Sequence, residues 1–238
     1  MRKVFLAIAL LLCGKASAQV EVSAGTGVGW YSMADLQDFQ EHLQTTFPVK
    51  AQITEKFPPY LTYDASLLYR LHRGGFIGIF YQFGSTAGRI HYEDFSGEVY
   101  SDQILRGNTL ALSAGQELEF KNNFFMRFDL HPGATFTSLE LISFTRVRDQ
   151  SFKESYKFHS INATMQPTVE LHKAWRNFGI KVSAGFHFSA FAGKLKFDEN
   201  KDSYLIGAGN TPITADWTGL RLGISGRYVF HQRIKEIN

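Results

Sequence analysis

Eight stretches of this chain alternate apolar with small or polar residues at nearly every step, a pattern that few folds can absorb. Successive side chains of a β-strand point to opposite faces, so each stretch makes a ribbon with one apolar and one polar side. The first sets Val20, Val22, Ala24, Thr26, Val28 and Trp30 against Glu21, Ser23 and three glycines. The second sets Leu61, Tyr63, Ala65, Leu67 and Tyr69 against Thr62, Asp64, Ser66 and Arg70. A third, Phe76 to about Ala87, is apolar on both faces at its start, and its register stays open. The other five begin near Thr109, Phe124, Ile161, Ile180 and Gly219. Pro132 and Pro167 fall inside two of them. Each proline must leave a ladder hydrogen bond unmade, and a local bulge is the expected accommodation.

The connections alternate too: long at about residues 32–59, 88–103, 141–157 and 191–214, short at 72–75, 121–123 and 172–177. An even-stranded membrane barrel with both termini on its periplasmic side has this arrangement. A secreted lipocalin-like ligand binder also alternates, with its apolar face inside, so the content of the polar faces has to decide. Those faces are filled by Gly, Ser and Thr with only occasional charges, which suits a narrow lumen better than a solvated surface. The apolar faces carry Trp30, Tyr63, Tyr69, Phe136 and Phe230 near their ends, as an aromatic girdle does. No stretch reaches the roughly 18 apolar residues of a membrane-spanning helix. The expectation is an all-β fold, an eight-stranded antiparallel up-and-down transmembrane β-barrel, with a short amphipathic helix in its first extracellular loop.

That helix is expected over Ala34 to about Phe47, capped by Ser32, with Leu36, Phe39, Leu43 and Phe47 on one stripe. It would serve as a lid over the barrel mouth, pack on other loops or face a partner.

Arg2 and Lys3 precede an apolar run from Val4 to Cys13, and Ala16-Ser17-Ala18 then offers small residues for cleavage, so residues 1–18 read as a secretory signal peptide. Residues 19–231 form the barrel and 232–238 a short tail. Of the 25 Lys and Arg, three lie in the cleaved segment, which leaves 22 against 22 acids. The basic excess therefore belongs to export, and no nucleic-acid partner follows from it. The single Cys goes with the signal, excluding disulfide and thiolate chemistry from the mature chain. No cofactor is expected, and His91 beside Glu93 and Asp94 offers no defensible metal-ligand spacing.

With these residues in view, the mature chain resembles the small outer-membrane β-barrels of Gram-negative bacteria, the OmpA/OmpX-like type. Gly223 to Phe230 is similar to the closing strand of that group, whose last aromatics are recognised by the barrel assembly machinery; the resemblance implies that Tyr228 and Phe230 play this part. It also implies outer-membrane lipid and lipopolysaccharide as surroundings. An extracellular or periplasmic partner stays unidentified.

The inward charges are Glu21, Asp64, Glu117, Glu119, Asp129 and Glu170 against Arg70, Arg127, Lys181, Arg221 and Arg227. They nearly cancel, and eight strands enclose a space just wide enough for side chains, so a closed, charge-filled lumen is expected. A narrow channel along the same charges is the alternative. His187 and Ser189, with Glu199 in the following loop, resemble the His-x-Ser pair of a lipid A deacylase family of similar barrel size, which implies acyl hydrolysis. In that family the triad faces lipid, whereas parity puts His187 and Ser189 on the lumen side. The favoured reading is a non-enzymatic barrel acting through its outer loops in envelope integrity, adhesion or assembly.

Overall fold

The computed structural model describes residues 19–200 and 202–231, so the signal segment and the tail lie outside the described residues. The strands are β1 (Gln19–Gly29), β2 (Gln52–Lys56), β3 (Tyr60–Arg70), β4 (Gly75–Asp94) and β5 (Gly97–Glu119), followed by β6 (Phe124–Val147), β7 (Gln150–Trp175), β8 (Phe178–Phe191), β9 (Lys196–Phe197) and β10 (Gly219–His231). One helix, α1 (Ala34–Thr46), follows β1. Eight strands pair antiparallel in the ring β1–β3–β4–β5–β6–β7–β8–β10, which closes where β1 meets β10 from Gln19↔His231 to Gly29↔Arg221. Closure removes the unpaired edges that an open sheet would present. Short β2 and β9 lie outside the ring, adding to the outer ends of β4 and β7.

The barrel is inside-out relative to a soluble protein. Glu21, Ser23, Asn162 and Arg127 are buried in the lumen, while Leu112 and Ile161 are 66% and 62% exposed on the outer wall. The lipocalin-like alternative is thereby overturned, since it requires the apolar face inside. Phe120, Phe124, Trp175, Phe178 and Phe230 ring the lower end, where the short turns lie, and Trp30, Tyr63, Phe136 and Phe188 ring the upper end. The turns use left-handed backbone at Arg73, Gly74, Asn122, Asn123 and Arg176, a region in which Gly and Asn are the least strained. In β4 the even positions face inward: Phe76 and Phe80 are buried, Ile77 and Ile79 exposed. Those two rings are tolerated among polar groups because Phe76 lies under the Arg127 guanidinium at 4.6 Å and Phe80 stacks on His131 at 4.2 Å.

Three local expectations need correction. The long connections at 88–103 and 141–157 are mostly strand, because alternation continues through them to tight turns after Asp94 and Val147. At the prolines themselves the ladders show gaps, and the bulge expected near them is present only on the β7–β8 side, where the register shifts between Ala163 and Thr164. The β5–β6 ladder skips from Ala111↔Gly133 to Ala114↔Leu130 around Pro132, and the β7–β8 ladder skips from Met165↔Phe188 to Thr168↔Gly185 around Pro167, both in unchanged register. Each ring faces outward while the β6–β7 ladder between the two prolines runs unbroken. Finally, α1 starts at Met33 in left-handed backbone with no side-chain cap; Ser32 and Met33 instead donate their backbone N–H to Thr218 and Asp216 carbonyls.

Above the upper girdle the pattern inverts. Leu105, Leu139 and Phe158 are paired across β5, β6 and β7, and all three are buried on the inward face. Their outward neighbours Arg106, Ser138 and His159 are paired in the next row. Below this level the wall is apolar outside and polar inside; at this row the inward face turns apolar and the outward face polar, and above it the inward face is mixed, with Gln103 and Ser101 buried on β5.

Candidate functional site

The lumen is filled at two levels by different chemistry. In the lower half, strands from all round the ring aim charges at one centre. Arg127 is the hub: its two Nη atoms donate to Glu21 Oε1 and Oε2 at 2.9 Å each, Nη2 also to Glu117 at 2.8 Å, and Nη1 to Glu170 at 3.4 Å. Arg70 donates to Glu117 at 2.9 Å and to Glu21 at 3.2 Å. Lys181 reaches Glu170 at 3.1 Å, and Arg227 lies between Glu21 at 3.3 Å and His172 Nε2 at 2.8 Å. A buried charge without a partner is expensive, and here each carboxylate of the hub takes at least two cations. Gly115 makes the space, since a Cβ there would fall 2.6 Å from the Phe76 ring that underlies Arg127.

The other expected lumen charges lie elsewhere. Asp129 is buried above the hub, 4.0 Å from His131 Nε2, with its Oδ1 unpartnered among the described residues. Asp64 lines a cavity of about 30 Å³ together with Glu170, Gln82 and Gln166. Arg221 is inside the barrel but bonded to backbone: Nη1 to the Trp30 carbonyl at 2.7 Å, Nη2 to that of Trp217 at 2.7 Å, with its guanidinium 4.5 Å above the Tyr31 ring. Glu119 is exposed at the lower rim, because β5 has by then left the lumen, and it joins no ion pair among the described residues. Tyr228 and Phe230 pack edge to face at 4.6 Å on the lower outer wall.

The upper half is closed by an apolar plug. Met33, Leu36 and Phe39 from the start of α1, Phe57, and Leu195, Ile213, Ala215 and Trp217 from the last connection pack on the inward row Leu105, Leu139 and Phe158. Leu43 packs against this core half-buried, and Phe47 is only half-buried past the helix end. Thus α1 is a plug element inside the flared rim. Asp35 fixes it by accepting from Thr214 Oγ1 at 2.6 Å and Thr214 N at 3.1 Å, and Gln40, fully buried, donates to the Glu55 carbonyl at 2.8 Å. Trp217 descends furthest, its Nε1 donating to Thr137 Oγ1 at 2.8 Å and its ring filling space that a Cβ on Gly107 would take. Asn162 ties the plug to β7, donating to the Ala215 carbonyl at 2.6 Å and accepting from Gly193 N at 3.0 Å. Sequence reasoning missed Trp217 and Asn162 as plug residues. The inward apolar row was the signal that could have located their surroundings.

His187 is buried in the lumen, with Nδ1 3.1 Å from Gln166 Oε1 and Nε2 3.5 Å from Thr135 Oγ1. Neither nitrogen is bonded to Ser189, whose Oγ has no partner among the described residues, and Glu199 is exposed beyond β9. The geometry does not assemble these three into a relay. On the outer hairpin, β4–β5 pairing brings Glu98 opposite Glu93, so that ligand atoms of His91, Glu93 and Glu98 lie within 4.8 Å of one another. Spacing along one strand could not disclose Glu98. These three could hold a divalent cation, but Arg146, 3.0 Å from Glu98 and 3.9 Å from Glu93, already supplies positive charge there.

No protein-family model matches this chain, and no curated protein matches it in sequence. Among solved structures it is similar to Neisserial surface protein A, at 10% identity and TM-score 0.39, over 90% of this chain and 98% of that one. It is also similar to the N-terminal β-barrel domain of Pseudomonas aeruginosa OprF, at 12% identity and TM-score 0.32, over 89% and 97%. The Yersinia pestis attachment invasion locus protein Ail matches at 13% identity and TM-score 0.33, over 90% and 97%. At such scores these likenesses carry no argument, and the fold stands on this chain's own strand ring: an eight-stranded transmembrane β-barrel.

Proposed function

We propose that this chain is a non-enzymatic integral outer-membrane protein, closed to solutes, that acts through its protruding outer sheet in adhesion or envelope assembly. The observation that carries this reading is the double closure of the lumen, by the Arg127 network below and the α1–Trp217 plug above, between which two cavities among the described residues measure about 30 and 10 Å³. A space of that size holds a water molecule or two and no hydrated ion path. What is left to meet other molecules is the outer part of β4 to β7, with Phe95 and Phe152 fully or largely exposed at its turns. Export by residues 1–18 and recognition of Tyr228 and Phe230 by the barrel assembly machinery complete the reading.

Conductance of the purified chain in a planar bilayer tests the closure: no steps are expected, and steady ohmic steps altered by Arg127→Gln would overturn it. Trimming residues 144–155 from cells that still export the barrel should abolish surface adherence or alter detergent sensitivity, while unchanged values of both would remove the role given to the sheet. Mass spectrometry of lipid A from cells with and without Ser189→Ala should show identical acyl patterns.

A further inference from the structure

The outward face at the level of inversion carries three cations, Arg106, Lys194 and Lys196, that form no ion pair among the described residues. Arg106, Ser138, His159 and Lys196 are paired in one row across β5, β6, β7 and β9. The outward row immediately below is Asn108, Phe136 and Ile161, the upper edge of the apolar wall. Lys194 projects beside Lys196 on the same exposed face. Higher on the outer hairpins Arg89 bonds Asp102 at 2.6 Å and Arg146 bonds Glu98 at 3.0 Å, while Arg148, Lys153 and Lys157 form no ion pair among the described residues but stand away from the apolar wall. Arg106, Lys194 and Lys196 form no ion pair among the described residues; Lys194 only rests 4.8 Å from the Tyr204 ring. The acid within this group is Asp198, 3.5 Å from His159. Between β7 and the connection that follows β8 lies an open groove of about 380 Å³, whose lining includes Ile161, His159, Lys194, Lys196 and Asp198.

Unpaired cations set one strand row above an apolar wall match an amphiphile whose anionic head sits directly over its hydrocarbon. We propose that this ledge binds the phosphorylated headgroup of lipid A in the outer leaflet, with Arg106, Lys194 and Lys196 on the phosphates and an acyl chain running from the groove down past Ile161. The proposal rests on the outer-membrane location given above. Strand spacing supports it: neighbouring strands are about 4.8 Å apart, so Arg106 and Lys196, three strands apart in the row, span roughly 14 Å, wide enough to meet more than one phosphate of a large headgroup.

The test uses the full folded chain in detergent, titrated with lipid A and with dephosphorylated lipid A and read by native mass spectrometry. Lipid A should bind and its dephosphorylated form bind far more weakly. The triple variant Arg106→Gln/Lys194→Gln/Lys196→Gln should lose about a hundredfold in affinity, and Lys196→Gln alone about fivefold, while heat-modifiable mobility shows each barrel folded. Arg148→Gln/Lys153→Gln, at the hairpin tip, should bind as the parent does. Equal binding of the two lipids, unchanged affinity in the triple variant, or equal loss in the tip variant would each overturn the ledge. Fractionation separates the two ideas: a chain found in the outer membrane that ignores phosphate sinks the ledge alone, and one found elsewhere sinks the location.

Discussion

The two halves of this lumen solve one problem, filling a narrow tube, by opposite means. Below, inward side chains of the ring strands themselves meet as ions, with Arg127 reaching Glu21, Glu117 and Glu170. Above, the ring contributes the apolar row of Leu105, Leu139 and Phe158 with Thr137 and Asn162 as tethers, and most of the filling comes from the segments between strands. The difference follows from what surrounds each level. A wall whose outside must be apolar has only its inside on which to place polar side chains, and there they must pair. Once the wall rises into water the outside can be polar, and the inside can carry an apolar row on which a plug packs. Ion pairs therefore lock the spanning part of the barrel, and hydrophobic packing closes its mouth.

The largest test of this contrast is Arg127→Met. It leaves three carboxylates buried without their hub, and unfolding in bilayers by denaturant should show a loss of about 3 to 5 kcal/mol. Next comes Leu36→Ala, which opens a cavity in the plug at a cost of about 2 to 5 kcal/mol. Its signature should be faster amide exchange confined to α1 and residues 195–217, with the ring strands still protected. The two changes share none of the contacts described above, so their costs should add to within about 0.5 kcal/mol, and a larger deviation would join the two halves into one unit. Leu112→Arg places a charge on the outer wall and should cost about 2 to 4 kcal/mol. Ser113→Arg, one residue on and inward, should instead fail by overfilling the lumen; equal, mild effects on folding in bilayers would sink the assignment of faces.

The smallest effect lies outside the membrane, at the tip of the β4–β5 hairpin. Asp94 accepts from Ser96 Oγ, Tyr92 Oη and the backbone N–H of Ser96 and Gly97, and these bonds hold its pKa down to about 2. Because the folded value lies below the ordinary one, the turn's stabilisation is present above the usual carboxylate range and fades as pH falls through about 2. Protection of the Ser96 and Gly97 amides, taken relative to their intrinsic exchange at the same pH, should fall on acidification toward pH 2 in the parent and be low at every pH in Asp94→Ala; a flat protection profile in the parent would contradict this.

Much of the lower half was legible in the sequence, because parity alone puts Glu21, Glu117, Arg127, Glu170, Lys181 and Arg227 on one face, and closing the ring brings them together. Parity does not say where a strand leaves the lumen, which is why Glu119 was wrongly included. The upper half was mostly illegible. Trp217 and Ile213 lie in a connection without periodicity, held by isolated bridges such as Lys194↔Thr214. Asp35 finds its partner Thr214 far along the chain, a contact that no local pattern encodes. The α1 stripe was visible, yet which surface would cover it depended on Leu105, Leu139 and Phe158 being in register. The inversion itself was written in the alternation, since Leu139 and Phe158 switch the inward face from polar to apolar, but it reads as a boundary only once the strands are known to continue through it.

That boundary also sets a length. From Phe124 in the lower girdle to Phe136 in the upper one, β6 rises at about 3.4 Å per residue, and at a tilt of about 40° the vertical span is roughly 30 Å. The inversion just above Phe136 stops the apolar wall from lengthening further. A thicker bilayer would cover Arg106 and Lys196 with hydrocarbon, and a thinner one would strand Phe136 and Ile161 in water. Hydrophobic matching thus makes the barrel a gauge of membrane thickness, and it should settle at a fixed height and favour a bilayer of about this thickness over thicker or thinner ones.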